Sequence, residues 1–150
     1  MPESIVKKTA GVYSVQMKYV AKKIVQSYEL DSYNHVNNAV FLNYLELGRM
    51  EFLKAIGFDY PGLYEAGLYL YVTRVDIRYR ASARLFDELS IEVEPIKLGK
   101  VSGVFRQTIT NQRGEVCAEA EVSWGCVDKN GKPSKFPERF MVDGLQPETD

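Results

Sequence analysis

The stretch AVFLNYLELGRMEFLKAI, residues 39–56, decides the architecture of this chain. Phe41, Leu45, Gly48, Phe52 and Ala55 recur at helical spacing and define one face. Val40, Leu42, Leu47, Met50 and Leu53 carry apolar character round most of the circumference. A helix of that kind is buried on most sides. Asn37 or Asn38 can cap its start, because an Asn oxygen accepts from the orphan N–H groups of a first turn. Gly57 suits the position just past its end, and Pro61 forbids continuation. Gly48 costs about 1 kcal/mol against Ala in a helix interior. Its presence predicts the close approach of another backbone.

Downstream of this helix the apolar period changes from helical to two. Val75, Ile77 and Tyr79 alternate with Arg74, Asp76, Arg78 and Arg80. Leu89, Ile91 and Val93 alternate with Ser90, Glu92 and Glu94, and Val116 to Cys126 alternates likewise. One apolar face per strand means antiparallel, half-covered strands. Gly99, Asn111 to Gly114 and Asn130-Gly131 mark the turns. Strands are therefore expected near 68–81, 88–98, 101–110 and 115–128, with one near 15–30 ahead of the helix. Residues 1–11 and 146–150 read as loose ends. A curved sheet of five to six antiparallel strands wrapped round one long central helix buries both the helix and the apolar sheet face. That α+β arrangement resembles the hotdog fold.

Composition narrows the function. A length of 150 residues predicts one domain, 1–150, with a core from about 15 to 138. Lys plus Arg is 19 against 20 Asp plus Glu, so the excess of positive charge that a nucleic-acid or membrane-surface binder needs is absent. Cys117 and Cys126 share one expected strand, roughly 30 Å apart, too far for a disulfide. Both Trp124 and Cys126 fall on its apolar face, and Cys117 falls on the other, partly exposed. With two cysteines and the single His35, neither a four-ligand zinc site nor a His-rich site is expected. The first residues lack the apolar run of a signal peptide, and no stretch approaches about 18 apolar residues, so no membrane span and a cytoplasmic location are expected.

The chemistry gathers in YELDSYNHVNN, residues 28–38. Two carboxylates, one imidazole and three Asn amides stand just ahead of a helix N-terminus. Backbone N–H groups there are unpaired and carry about half a positive charge. They can stabilise negative charge developing on a carbonyl oxygen. Asp31, on a loop folded back over that terminus, would stand beside the polarised carbonyl, which suits acyl transfer or hydrolysis. Ser32 is a poorer nucleophile candidate, since a serine needs an oriented base.

Asp31 to Asn38, followed by Tyr44, Glu46 and Arg49, resembles the 4-hydroxybenzoyl-CoA thioesterase group of hotdog acyl-CoA thioesterases. The likeness continues through Arg78 to Ala81, the strand meander, Val127-Asp128 and Lys132 to Pro137. Tyr28 to Asp31, Gly48-Arg49 and Glu51 to Leu53 also resemble plant plastid thioesterases acting on acyl carrier protein. The resemblance implies hydrolysis of an acyl thioester, on coenzyme A or the phosphopantetheine of acyl carrier protein, to a free acid and a thiol. It implies Asp31 as nucleophile or general base, and the Asn38 backbone N–H as the group facing the thioester oxygen. It implies no metal and no redox cofactor. Asn34 stands where the pattern usually has Gly, and Asn is the residue that best tolerates a left-handed turn after Gly.

The other residues carry weaker expectations. Tyr33, His35 and Asn37 position the loop or line the pocket, Asn37 also as a cap. Glu46 and Arg49, three apart, suit an ion pair on the helix surface, with Glu46 the nearest alternative catalytic carboxylate. Arg84, Lys97 and Lys100 are candidates for the phosphates of coenzyme A, with Arg80 nearby; solvated charge at strand ends explains each equally well. An exposed sheet edge invites pairing, and hotdog relatives assemble, so a homodimer and further a tetramer are expected. A hotdog dehydratase and a non-catalytic acyl-binding module are the rival readings; no second motif supplies the dehydratase's partner group, and Asp31 counts against the module.

Overall fold

A computed structural model describes residues 5–9, 12–16 and 18–148. Strands β1 (Ile5–Thr9) and β2 (Val12–Gln16) pair antiparallel, with Ile5 opposite Gln16. The described part of the expected loose lead-in is thus a strand; residues 1–4 and 10–11 lie outside the described residues, as do 149–150 of the expected loose tail. Strand β3 (Tyr19–Ile24) is shorter than expected. Then come α1 (Asn38–Ala55), α2 (Tyr60–Glu65), β4 (Tyr69–Tyr79), β5 (Glu88–Leu98), β6 (Ser102–Thr110) and β7 (Val116–Val127). Strands β3 to β7 form one sheet in the order β3-β5-β6-β7-β4, every neighbour antiparallel. One main helix on a five-stranded antiparallel sheet is the hotdog arrangement.

α1 begins and ends as its residues dictate. Asn37 is the cap, its side chain accepting from Ala39 N–H. Gly57 takes a φ of 76° directly after the helix, the left-handed region where glycine alone is unstrained. Between them Phe41, Tyr44, Leu45, Gly48, Phe52 and Leu53 face the sheet and are buried. Gly48 is required by close approach, but to side chains rather than to a backbone. A Cβ there would stand 2.6 Å from Ile91 Cγ2 and 3.2 Å from Val93 Cγ2. The helix is covered on one side only. Leu42 and Met50, expected inside, are 42% and 41% exposed.

Alternation holds along β5 and β6 and breaks in β7. Cys117 and Ala118 are both fully buried. The register of β6 on β7 steps from Ile109↔Ala118 to Thr110↔Val116, leaving Cys117 as the extra residue. Such a bulge turns two successive side chains to one face, which corrects the expected exposure of Cys117. Trp124 and Cys126 are core, and both thiols are free. The core also extends beyond residue 138, since Phe140 and Leu145 are buried and Phe140 meets Phe58 and Phe136. β4 lies at the sheet edge, where Val75 and Tyr79 stay exposed despite their alternation.

The connection from β4 to β5, residues 80–87, must cross the end of the sheet beneath the start of α1. Asp87 pins it. Its buried carboxylate accepts from Arg84 N–H and from Gln112 Nε2, each at 2.9 Å, with Arg113 Nη1 at 3.6 Å. Burial pushes this carboxyl upward, but the bonds from Gln112 and Arg84 N–H and the charge of Arg113 prevail and hold it below its ordinary value.

Two outcomes follow for stability. Gly48→Val should destabilise by about 1–3 kcal/mol through overpacking against Ile91 and Val93, read as a lower urea midpoint at unchanged slope. Because the folded-state pKa of Asp87 lies below its unfolded value of about 3.9, its contribution is complete above that pH and lost as pH falls through the folded value. The midpoint advantage of the native chain over Asp87→Asn should therefore be constant near neutrality and shrink below about pH 4. An advantage that stays constant down to about pH 3 would contradict this.

Candidate active site

Residues 29–37 form a tight backbone hairpin ahead of α1. Asn37 N–H donates to Glu29 O at 3.0 Å, Leu30 bridges Val36, and Asp31 N–H donates to His35 O at 2.8 Å. At the tip Asn34 N–H donates to Asp31 O at 3.1 Å, and Asn34 takes a φ of 62°. Asn thus fills a left-handed position that a β-branched residue would strain.

The hairpin orients Asp31 through its own backbone. Asp31 Oδ1 accepts from Tyr33 N–H at 2.9 Å and from His35 N–H at 3.3 Å. No hydrogen bond to Oδ2 is formed among the described residues, and the residue is half-buried. At the adjoining helix start, Ala39 N–H is taken by Asn37 Oδ1 and Val40 N–H by Asn37 O. Asn38 N–H meets no acceptor among the described residues. A carboxylate with a free oxygen and a helix-end N–H without an acceptor therefore belong to one short segment.

Three contacts hold the segment to the rest of the fold. Val36 N–H donates to Ala83 O at 2.8 Å, tying it to the loop after β4. Tyr79 Oη donates to Asn38 O at 2.9 Å. Ser82 Oγ lies 3.2 Å from His35 Nδ1. At the base, buried Glu29 accepts from Gln26 N–H at 2.7 Å and pairs with Lys23 at 3.5 Å. Tyr44 brings its buried hydroxyl towards this carboxylate without a partner at hydrogen-bond distance. Burial first, and Glu29 second, push the phenol well above its ordinary range.

The other expected site residues are dispersed. Tyr33 projects from the hairpin tip and is 79% exposed. Arg84 is exposed on the crossing loop, next to Ala83 and hence at the Asp31 end. Lys97 and Lys100 are exposed at the far end of β5, roughly 30 Å away along the strand. Glu46 is exposed on α1, and no ion pair joins it to Arg49 within the described residues. Arg49 instead turns inward and donates to Gln107 Oε1 at 3.1 Å, and burial lowers its pKa. No group of three His, Cys, Asp and Glu side chains gathers to hold a metal among the described residues. No described helix is long and apolar enough to cross a membrane. Glu29, Tyr79 and Ser82 carry no residue-type signal for this role; their position beside the hairpin is visible only in the folded chain.

Residues 25–143 match the family described as the thioesterase-like superfamily. The long-chain acyl-CoA thioesterase FadM of Escherichia coli K12 is 34% identical over 105 residues, which are 69% of this chain and 79% of FadM. The acyl-CoA thioester hydrolase YbgC of Escherichia coli O6:H1 is 30% identical over 79% of this chain and 89% of its own. A thioesterase of Thermus thermophilus, solved with coenzyme A and zinc, superposes with a TM-score of 0.69 at 30% identity, covering 81% of this chain and 86% of that one. The motif at Asp31, the hotdog sheet and the match over most of the chain agree: this protein belongs to the thioesterase-like superfamily.

Proposed function

We propose that this chain hydrolyses acyl thioesters of coenzyme A at the Asp31 hairpin. The observation that carries the reading is the pairing of a backbone-oriented carboxylate with the acceptor-free Asn38 N–H in one segment. The thioester carbonyl docks on Asn38 N–H. As negative charge develops on its oxygen, the helix end stabilises it increasingly, which is the kind of interaction that raises kcat. Asp31 delivers the oxygen nucleophile, either by attacking the carbonyl or by taking a proton from the attacking water. The C–S bond breaks and the carrier thiolate takes up a proton. Water supplies the acid's second oxygen, directly when Asp31 acts as base and by hydrolysing the acyl–Asp31 anhydride when Asp31 attacks. The products are a free acid and the thiol of the carrier. No metal or redox step is required. The names of FadM and YbgC favour coenzyme A as the carrier over acyl carrier protein. Arg84 stands at the Asp31 end and is the phosphate contact we favour; Lys97 and Lys100 can contribute only from a second copy.

A second copy is part of this reading. β4 is a sheet edge with Tyr71, Val72 and Val75 exposed, and α1 leaves Leu42 and Met50 uncovered. Unpaired edge groups beside apolar side chains favour strand pairing between copies. Light scattering should report a mass of at least twice 17.1 kDa; an active monomer would refute the pairing.

The test of the chemistry is Asp31→Asn assayed against a panel of acyl-CoA and acyl carrier protein substrates. kcat should fall at least about 100-fold, with KM little changed because the lost group acts in the transition state. Retained activity in Asp31→Asn, with loss in Glu46→Gln, would move catalysis to the helix carboxylate.

A further inference from the structure

We propose that Ser82 is a positioning residue for His35, holding its ring so that Nε2 is offered to the substrate or the attacking water. The inference rests on the thioesterase reading above. His35 is the only histidine of the chain. Its Nδ1 lies 3.2 Å from Ser82 Oγ, across 47 residues of sequence.

Neither side chain chose this meeting; the backbone imposes it. Val36, next to His35, donates its N–H to the carbonyl of Ala83, next to Ser82, at 2.8 Å. Val36 and Ala83 are both buried, which keeps water from competing for that bond. On its other side His35 is locked to Asp31 twice, by its carbonyl at 2.8 Å and by its N–H at 3.3 Å. The imidazole and the hydroxyl are therefore presented to each other by two fixed stretches of main chain.

The consequence follows from the chemistry of the pair. A hydroxyl can donate or accept, so it satisfies Nδ1 in either neutral tautomer. With Nδ1 occupied, Nε2 is the one ring nitrogen left for a group entering from solvent. The bond at one nitrogen also fixes the orientation of the ring. The hairpin then offers two oriented polar groups, the Asp31 carboxylate held by the His35 backbone and the His35 ring held by Ser82. Ser82 is exposed and fills no core space. Its hydroxyl can be removed without stranding a buried donor, so the loss should register in turnover and not in folding.

The experiment uses the full untagged chain and an acyl-CoA that it turns over. Ser82→Ala should lower kcat about 10-fold, the effect of one lost hydrogen bond, with KM and thermal midpoint unchanged. Ser82→Thr, which keeps the hydroxyl, should retain at least about half of kcat, since the geometry at Oγ survives. The double variant Ser82→Ala with His35→Gln should be no slower than His35→Gln alone, because Ser82 acts only through the ring. A second readout needs no catalysis. With one histidine, a long-range ¹H–¹⁵N spectrum shows a single imidazole, and Ser82→Ala should shift its Nδ1 resonance and tautomer balance. Unchanged kcat, or effects that multiply in the double variant, would overturn the proposal, as would an unaltered imidazole spectrum. Failure of the unmodified chain to hydrolyse any acyl thioester would instead sink the functional reading, while the spectrum still decides the contact.

Discussion

Everything in this fold depends on how closely α1 can approach the sheet. At Gly48 there is no side chain, so Ile91 and Val93 of β5 rise into the space a Cβ would occupy. Beside them Gln107, fully buried in the middle of β6, donates to the Leu45 carbonyl at 2.9 Å and accepts from Arg49 at 3.1 Å. A carbonyl has two lone pairs, so Leu45 can receive this donor without giving up its helical bond. A buried amide satisfied at both ends tolerates little displacement, because any shift strands a polar group in a dry interior. Height and rotation of the helix are thereby set together, and with them the place where its first N–H groups emerge.

The site is then a matter of backbone geometry more than of side chains. Asp31 is held by N–H groups within its own turn, and the turn is held by the loop after β4 and by Tyr79 of β4 itself. Glu29 shows what the arrangement costs. A nearly buried carboxylate must be paired or hydrogen-bonded, and Lys23 with Gln26 N–H meets that need from β3 and its following turn. The tyrosine hydroxyl of α1 facing it remains without a bond. The spacing of the two arms is set by the backbone instead, through Asn37 N–H on the Glu29 carbonyl and Asp31 N–H on the His35 carbonyl.

The uncovered flank of α1 and the edge strand β4 have one physical origin. A five-stranded sheet is wide enough to cover one side of a helix, and β4 lies at its margin. Apolar residues that periodicity alone assigns to an interior, Leu42, Met50, Val75 and Tyr79, are exposed in a single copy for this reason. Their exposure, and not any count of apolar residues, is the ground on which the proposed pairing of two copies rests.

Features that depend on neighbours in the chain could be read from the residues alone. The bounds of β5 and the extent of α1 were legible because a period of two or of 3.6 is written in adjacent residues. The same holds for the Asn37 cap, the left-handed Asn34 and the candidate carboxylate Asp31, all parts of one continuous motif. Features that depend on register and on crossing connections emerged only on folding. The bulge that buries Cys117 arises from a single step in the pairing of β6 with β7. Arg49 finds Gln107 rather than Glu46 because the interior of the sheet lies within its reach. Ser82 meets His35 because the chain from β4 to β5 must cross the sheet end under the hairpin, and the length of β5 keeps Arg84 apart from Lys97 and Lys100. Periodicity is local and survives in the sequence; the meeting of distant segments is set by strand order and packing, which no short stretch of residues encodes.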